Sequence, residues 1–296
     1  MLRTQSAQKL MQQFGTSYYY ATLFFPEDIK RDVFTLYKFV RVADEIVDDC
    51  QGDKLDIHYQ NAAQELSDLR NNFFAALDRQ DIQEVNFWPM VELTIRRNIP
   101  RQWIHDFLDA MLMDTYTSTY ESYEKLQKYM YGSAEVIGLM MCHIVWADAA
   151  LHPRACLLWE AMQYTNFLRD VYEDCVEYGR IYMPIDRLTA HQLTAHDVHD
   201  FCRTKKIDKR RIDFCRTEID FCRWVYQEAE TAISSLPANA QFAVLLASRL
   251  YQGILDKIES IEYNQFAQSA RTGKVQKWRI ISKAVAHRYI TSHCHD

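Results

Sequence analysis

The sequence predicts an all-α protein of one domain, and three observations predict it. Glycine and proline number 7 and 6 in 296 residues, about 4% against roughly 12% in average usage. So few turn residues do not suit the hairpins and sharp loops of a β or α/β chain. Apolar residues recur at three-four spacing over long windows, and no stretch alternates long enough to make a strand. No Ser/Gly-rich, Pro-rich or like-charge run interrupts the chain, so no linker divides it and one domain over residues 1–296 is expected.

The elements follow in order. Residues 27–49 carry Val33, Leu36, Tyr37, Val40, Ala43 and Val47 on one stripe, behind Pro26 with Glu27 and Asp28 in the first turn, a favourable helix start. A polar segment, 51–56, ends that helix, and a second covers 58–78. A break near Asn86 to Pro89 leads into another, then 101–113 is helical and a Thr/Ser/Tyr-rich joint follows. From Tyr123 the chain runs through Gly132, Ser133 and Ala134 into the apolar stretch Val136 to Trp146, a buried helix. A long helix over 154–178 is closed by Gly179. The stretch 189–206 has no clear period and reads as loop or short helices. Helices over 209–236, 238–260 and 275–289 complete the chain, the first of these stopped by Pro237 and carrying a seven-residue repeat, Ile212–Arg216 and Ile219–Arg223, that presents one face twice.

Composition excludes several classes. A chain with 48% hydrophobic and 25% charged residues and a net charge of -6 is neither disordered nor collagen-like nor a basic nucleic-acid binder. Eight cysteines (Cys50, Cys142, Cys156, Cys175, Cys202, Cys215, Cys222 and Cys294) form no CxxC pair and read as reduced thiols of a cytosolic protein. The tail His293-Cys294-His295 reads as a frayed terminus. The N-terminal residues lack the apolar core of a signal peptide. The 11-residue stretch 136–146, which contains His143, is well short of the roughly 20 that span a bilayer. A cytoplasmic protein is expected, with transient contact with a membrane surface.

Two acidic clusters carry the chemistry: Arg41, Asp44, Glu45, Asp48 and Asp49, then Asn166, Arg169, Asp170, Glu173 and Asp174. Each contains Asp-x-x-x-Asp, and residues i and i+4 share a helix face, so each pair aims two carboxylates at one point. One such pair alone reads as solvated surface. Two pairs, each set among apolar residues and each with an arginine just ahead, imply a compensating cation. Mg2+, or Mn2+, suits oxygen ligands and bridges to phosphate, and no His or Cys has the ligand spacing of a zinc site beside the acids. Arg41 and Arg169 then grip the same phosphates, and the inferred ligand is a diphosphate. Abundant Tyr and Phe (18 and 15) can line an apolar pocket and attract a carbocation.

These residues carry a resemblance. Ser17-Tyr18-Tyr19-Tyr20-Ala21, Phe25-Pro26, Leu36-Tyr37, the run from Arg41 to Asp48, Tyr129 to Met140, Gln163 to Asp174 and Gly179 to Pro184 together resemble the squalene/phytoene synthase family of head-to-head prenyl transferases. The resemblance extends from Ser17 to the last helix. It implies an isoprenoid synthase fold, a single helical domain around a central cavity. It also implies that two prenyl diphosphates condense through a cyclopropyl diphosphate that rearranges to a linear product. By position, Asp44, Asp48, Asp170 and Asp174 are catalytic and, with Asn166, hold metal. Arg41, Asn166, Arg169, Tyr182 and Arg271 contact diphosphate, while Ser17, Tyr18, Tyr37, Tyr129, Ala134, Ile137, Gly138 and Gln163 line the substrate sites. The sequence departs from the family pattern at Glu45, often Asp, at Met130, and at Tyr172, often Gly, whose ring either narrows the channel or lies outside it.

The leading expectation is condensation of two geranylgeranyl diphosphates to phytoene in carotenoid biosynthesis. Squalene or dehydrosqualene synthesis from farnesyl diphosphate is the alternative. No GxGxxG fingerprint exists, so NADPH is not expected. Thr22, small and near Tyr18, leaves room for the longer chain. A non-catalytic relative serving as an assembly factor is disfavoured, because the four aspartates and both arginines are present. A head-to-tail transferase or terpene cyclase prefers DDxxD to Asp44-Glu45-Ile46-Val47-Asp48. Partners beyond the substrates and a membrane surface for product release are not implied, nucleic acid is not expected, and a monomer or weak dimer is.

Overall fold

The computed structural model describes residues 6–48, 57–79 and 87–293. Among them the chain forms helices α1 (Ala7–Phe14), α2 (Thr16–Thr22), α3 (Glu27–Asp48), α4 (Ile57–Arg79), α5 (Trp88–Arg96), α6 (Arg101–Met113), α7 (Tyr123–Met130), α8 (Val136–Val145), α9 (His152–Glu177), α10 (Ile185–Ala190), α11 (Ala195–Thr204), α12 (Lys209–Glu230), α13 (Ala238–Ser260) and α14 (Lys274–His293). No strand forms among these residues. An isolated bridge pairs Thr119 with Ile181, tying the joint after α6 to the segment after α9. The all-α expectation therefore holds.

The helices form where the sequence carries both a buried stripe and an end signal. In α3, Ile29, Val33, Leu36, Phe39, Ala43, Ile46 and Val47 are buried, and Lys30 pairs with Glu27 in the first turn at 3.0 Å. Residues 189–206, without clear period, resolve into the end of α10 and the short α11. A capping box sets the start of α11: Thr194 Oγ1 accepts from the Asp197 amide at 3.3 Å, and Asp197 Oδ2 accepts from the Thr194 amide at 2.9 Å. The expected helix over 209–236 stops earlier, at Glu230, and a 3-10 turn over Ile233–Ser235 follows. Pro237 ends the helical path, but the chain has already tightened before it. The two N-terminal helices α1 and α2 are short, with no long periodic window to announce them. Cys50, Asp49, the polar segment 51–56, Asn86 and Cys294 lie outside the described residues; the six remaining cysteines are free thiols.

A π-helical turn, Tyr131–Glu135, joins α7 to α8. Such a widened turn inside a helical path marks functional sites in many proteins. Its cause here is close packing: a Cβ on Gly132 would stand 2.5 Å from the Asp106 carbonyl oxygen and 2.7 Å from the Ala110 Cβ. Only glycine lets this turn press against α6. At the other end of the long α9, Gly179 takes φ +61°, the left-handed turn that reverses the chain at low cost. That reversal brings Arg180 and Tyr182 back beneath α9. Most of the buried apolar side chains belong to one continuous cluster, while α2, α13 and α14 share a smaller one of Ala21, Phe242, Leu246, Leu250 and Ile281.

Candidate active site

A cavity of about 1030 Å³ runs through the bundle, at the upper end of the range for small-molecule sites. α3 lays Tyr37, Arg41, Asp44 and Asp48 along it at intervals of four, three and four residues, and α9 lays Gln163, Asn166, Asp170 and Asp174 opposite. Ser17 and Tyr18 of α2, Tyr129 of α7, Ala134 of the π turn, Ile137 and Gly138 of α8, Arg169, Tyr182 and Arg271 line the same space. All the residues singled out as site candidates in the sequence thus share one cavity wall. Tyr172 does not line it; its ring lies 5.2 Å from the Lys205 ammonium instead. Met130 is fully buried elsewhere in the core. Thr22 lines the cavity, its hydroxyl 3.6 Å from the Met11 sulfur.

One end of the cavity is polar and densely charged. Arg41 is bonded to Asp44 and stands 3.5 Å from Asp48, Arg169 donates to Asp170 at 2.7 Å, and Arg180 stands 3.4 Å from Asp48. With Asp114 and Asp174 this makes five carboxyl groups around three guanidinium groups. Burial, with Asp44 alongside, pushes the Asp48 carboxyl up to about 8 despite Arg180 and Arg41. Burial, with Asp170 and Asp48 nearby, likewise holds Asp174 well above its ordinary value. Both acids face the cavity, so water reaching them tempers the effect of burial. Their common electrostatic field links α3 to α9 directly.

Two residues of this mouth, Asp114 and Arg180, had no spacing signal in the sequence. Asp114, in the joint after α6, is buried and accepts hydrogen bonds from Tyr129 Oη at 2.6 Å and Tyr182 Oη at 3.0 Å. Burial raises its carboxyl above the ordinary range in spite of Arg180 and these two hydroxyls. Both tyrosine hydroxyls are therefore committed to Asp114, with the Tyr182 ring stacked on Phe167 at 4.2 Å. Arg180 is buried, and its Nε and Nη2 find no protein acceptor. Asn166 gives its amide to Gln163 at 3.3 Å but leaves Oδ1 unpartnered. A family signature placed Arg180 in the chain; only folding turns it into the mouth. Arg271 sits at the rim, mostly exposed, paired with Glu173 at 2.7 Å.

These donors and acceptors define what the site accepts. Orphaned guanidinium nitrogens ask for an anion, and an orphaned amide oxygen beside raised carboxyl groups asks for a cation. Among the described residues, no group of three or more His, Cys, Asp or Glu is gathered to hold a metal by itself. Each helix offers a carboxylate pair, which fits Mg2+ that completes its shell with phosphate oxygens and water. Away from the mouth the walls are apolar and aromatic. Tyr18 lies between Trp159, stacked at 5.4 Å, and Tyr251 at 4.8 Å. Burial holds the Tyr18 and Tyr37 hydroxyls protonated by raising both.

The model of the family described as squalene/phytoene synthase matches residues 11–279. Among curated proteins, the chain is 30% identical over 281 residues to the 15-cis-phytoene synthase of Synechocystis sp., covering 89% of this chain and 78% of that one. It is 28% identical over 290 residues to a chloroplastic phytoene synthase of Solanum lycopersicum, covering 94% and 88%. It is 29% identical over 283 residues to one of Arabidopsis thaliana, covering 93% of this chain but 64% of that one, so it spans under two thirds of the plant protein's length. Among solved structures, a dehydrosqualene synthase in complex with ligand superposes with a TM-score of 0.79 at 20% identity, covering 97% of this chain and 95% of that one. A squalene synthase from Alicyclobacillus acidocaldarius gives 0.72 at 20%, covering 87% and 93%. At such identity the superpositions speak for the fold alone, the isoprenoid synthase fold.

Proposed function

The chain belongs to the squalene/phytoene synthase family, and from that premise we propose that its cavity condenses two geranylgeranyl diphosphates, head to head, to phytoene. One observation carries the reading: two Asp-x-x-x-Asp motifs with their arginines flank the polar mouth of a long cavity whose remaining walls are apolar and aromatic. The mouth suits diphosphate and the walls suit isoprenoid chains. The relatives that match over most of their length carry the name phytoene synthase, which favours the twenty-carbon substrate over farnesyl diphosphate.

Asp44, Asp48, Asp170, Asp174 and Asn166 are the residues that would hold Mg2+ or Mn2+. When bound, the metal neutralises diphosphate charge and stabilises the leaving group. Arg41, Arg169 and Arg180 supply fixed positive charge beside the diphosphate oxygens, with the unpartnered Nε and Nη2 of Arg180 free to donate. Asp114 holds the hydroxyls of Tyr129 and Tyr182 and so fixes both rings in the cavity wall. The rings of Tyr18, Tyr37 and Trp159 present π faces that attract allylic cations, and the apolar walls exclude the water that would quench them. Phytoene formation needs no hydride donor, so NADPH is not required. The six free thiols among the described residues suit a reducing compartment such as the cytoplasm.

The test is to incubate the purified protein with geranylgeranyl or farnesyl diphosphate, with Mg2+ and with or without NADPH, and to identify the hydrocarbon. Phytoene from the former without NADPH is expected. A thirty-carbon product made only from farnesyl diphosphate would replace this substrate assignment, and no consumption of either would overturn the activity.

A further inference from the structure

We propose that Cys175 and Cys202 are a modification site for peroxide, closing to a reversible disulfide that slows turnover. The two thiols stand on different helices, α9 and α11, and hydrogen-bond to one another. Both are free in the reduced protein, and each is 7% exposed, just beneath the surface. Neither lines the cavity, so the reaction already described makes no use of them. His199 stands three residues before Cys202 and shares its side of α11; its Nδ1 is 3.3 Å from the Cys175 sulfur. The other buried thiols have different neighbours: Cys215 meets the Gln265 amide at 3.4 Å and Cys222 the Thr165 hydroxyl at 3.3 Å.

A buried cation sets this pair apart. Arg211, at the start of α12, is 1% exposed, and its Nη1 and Nη2 find no hydrogen-bond partner. Its guanidinium lies 5.4 Å from the ring centres of Phe214 and Phe266, and its charge acts on Cys202. A buried guanidinium without a counter-ion is costly, and a sulfur anion shared by the two cysteines supplies one. The anion is also the nucleophilic form of a thiol. It attacks one peroxide oxygen and the O–O bond breaks; the hydroxide that leaves takes up a proton as water, and a sulfenic acid remains. The second cysteine's sulfur then attacks the sulfenic sulfur, the S–O bond breaks, and a second water leaves with that thiol's proton. Two electrons pass from the sulfurs to the peroxide, and a small dithiol returns them. Cys175 directly follows Asp174 near the end of α9. A disulfide holds its sulfurs at about 2 Å, closer than a hydrogen-bonded pair, so closing it draws the end of α9 toward α11 and moves Asp174. That consequence rests on the metal role proposed for Asp174; formation of the disulfide does not.

The full-length protein, reduced and then treated with hydrogen peroxide, is alkylated, digested and mapped by mass spectrometry. Peptides joined through Cys175 and Cys202 are expected. Turnover of geranylgeranyl diphosphate with Mg2+ should fall about tenfold, since a displacement of about 1 Å can cost up to a hundredfold, and dithiothreitol should restore it. The rise in Tm with Mg2+ and pyrophosphate should shrink in parallel, a readout that needs no turnover. Cys175→Ser and Cys202→Ser should each turn over as the reduced parent does and keep that turnover in peroxide, with unchanged helical circular dichroism showing that they fold. Arg211→Met should slow the cross-linking severalfold. Absence of the Cys175–Cys202 peptide, or inhibition by peroxide that persists in Cys175→Ser, would overturn the site. Cross-linked protein with full turnover and an undiminished rise in Tm would overturn its control of Asp174. Absence of turnover in the reduced parent would instead overturn the substrate reading and leave the cross-link and the Tm comparison standing.

Discussion

Gly138 is the cavity residue whose substitution has the most predictable consequence. A Cβ at this position would stand 2.4 Å from Trp159 Cδ1 and 2.8 Å from Cγ, whereas carbon atoms rest at about 3.5–4.0 Å. Gly138→Ala therefore forces the indole to retreat by about 1 Å, and Tyr18, stacked on it at 5.4 Å, must move with it. Overpacking of this kind costs about 1–3 kcal/mol, and removing a mid-helix glycine returns about 1 kcal/mol. A net loss of up to about 2 kcal/mol is expected, a fall in Tm of up to roughly 6 °C. Because Trp159 and Tyr18 form a cavity wall, KM for the prenyl diphosphate should rise as well. Thermal unfolding followed by steady-state kinetics reads both effects. Trp159→Leu in the same chain should recover much of the lost stability, since the two changes share one contact. A Gly138→Ala protein as stable as the parent with unchanged KM would refute the reasoning. Gly132→Ala should cost more, because its Cβ meets the Asp106 carbonyl, and a backbone cannot swing aside.

The remaining predictions concern charge. Asp44→Asn or Asp174→Asn should remove prenyl transfer, and the rise in Tm expected of the parent with Mg2+ and pyrophosphate should be lost, while helical content stays unchanged; full turnover in either variant, or turnover in excess EDTA, would contradict the metal role. In metal-free protein, burial and Asp44 raise Asp48 to about 8 from an ordinary 3.8, so the folded state takes up a proton there. That contribution is fully present below about pH 4 and is lost as pH rises toward 8, and Asp48→Asn should flatten the slope in pH-dependent denaturant titrations. Asp32 shows the opposite sign. Burial raises it, but hydrogen bonds from Arg96 and Arg97 outweigh burial and hold it below its ordinary value. Its stabilisation is present above about pH 4 and is lost as pH falls below that. Asp32→Ala leaves the buried Arg97 with only the exposed Asp28, 3.7 Å away, and should cost up to about 3–5 kcal/mol, read as a lowered urea midpoint.

How much of this was legible in the sequence varies from residue to residue. Asp44 with Asp48, and Asp170 with Asp174, announced themselves because a helix turns the interval of four into a shared face. The same periodicity gave α3, α6, α9 and α13 nearly to their ends. Residue type and spacing also carried Arg41 and Arg169 to the mouth, since each travels on the helix of its own aspartates. Local signals weakened wherever an element was short. α11 was ambiguous because ten residues offer too few turns for a period to show. The early end of α12 reflects chain tightening that no proline or glycine marks.

Interval arithmetic determined which side chains share a helix face, because that depends only on the pitch of one helix. It could not determine which faces meet, because that depends on the packing of helices far apart in the chain. Folding set α3 against α9 across a cavity, turned Arg180 and Tyr182 back beneath it after Gly179, and delivered Asp114 from a joint without periodicity to join them. It also decided that Tyr172 lies outside the cavity and that Trp159 presses on Gly138. The raised carboxyls of Asp48 and Asp174 belong to the same class, since a field between two helices exists only once they are packed together.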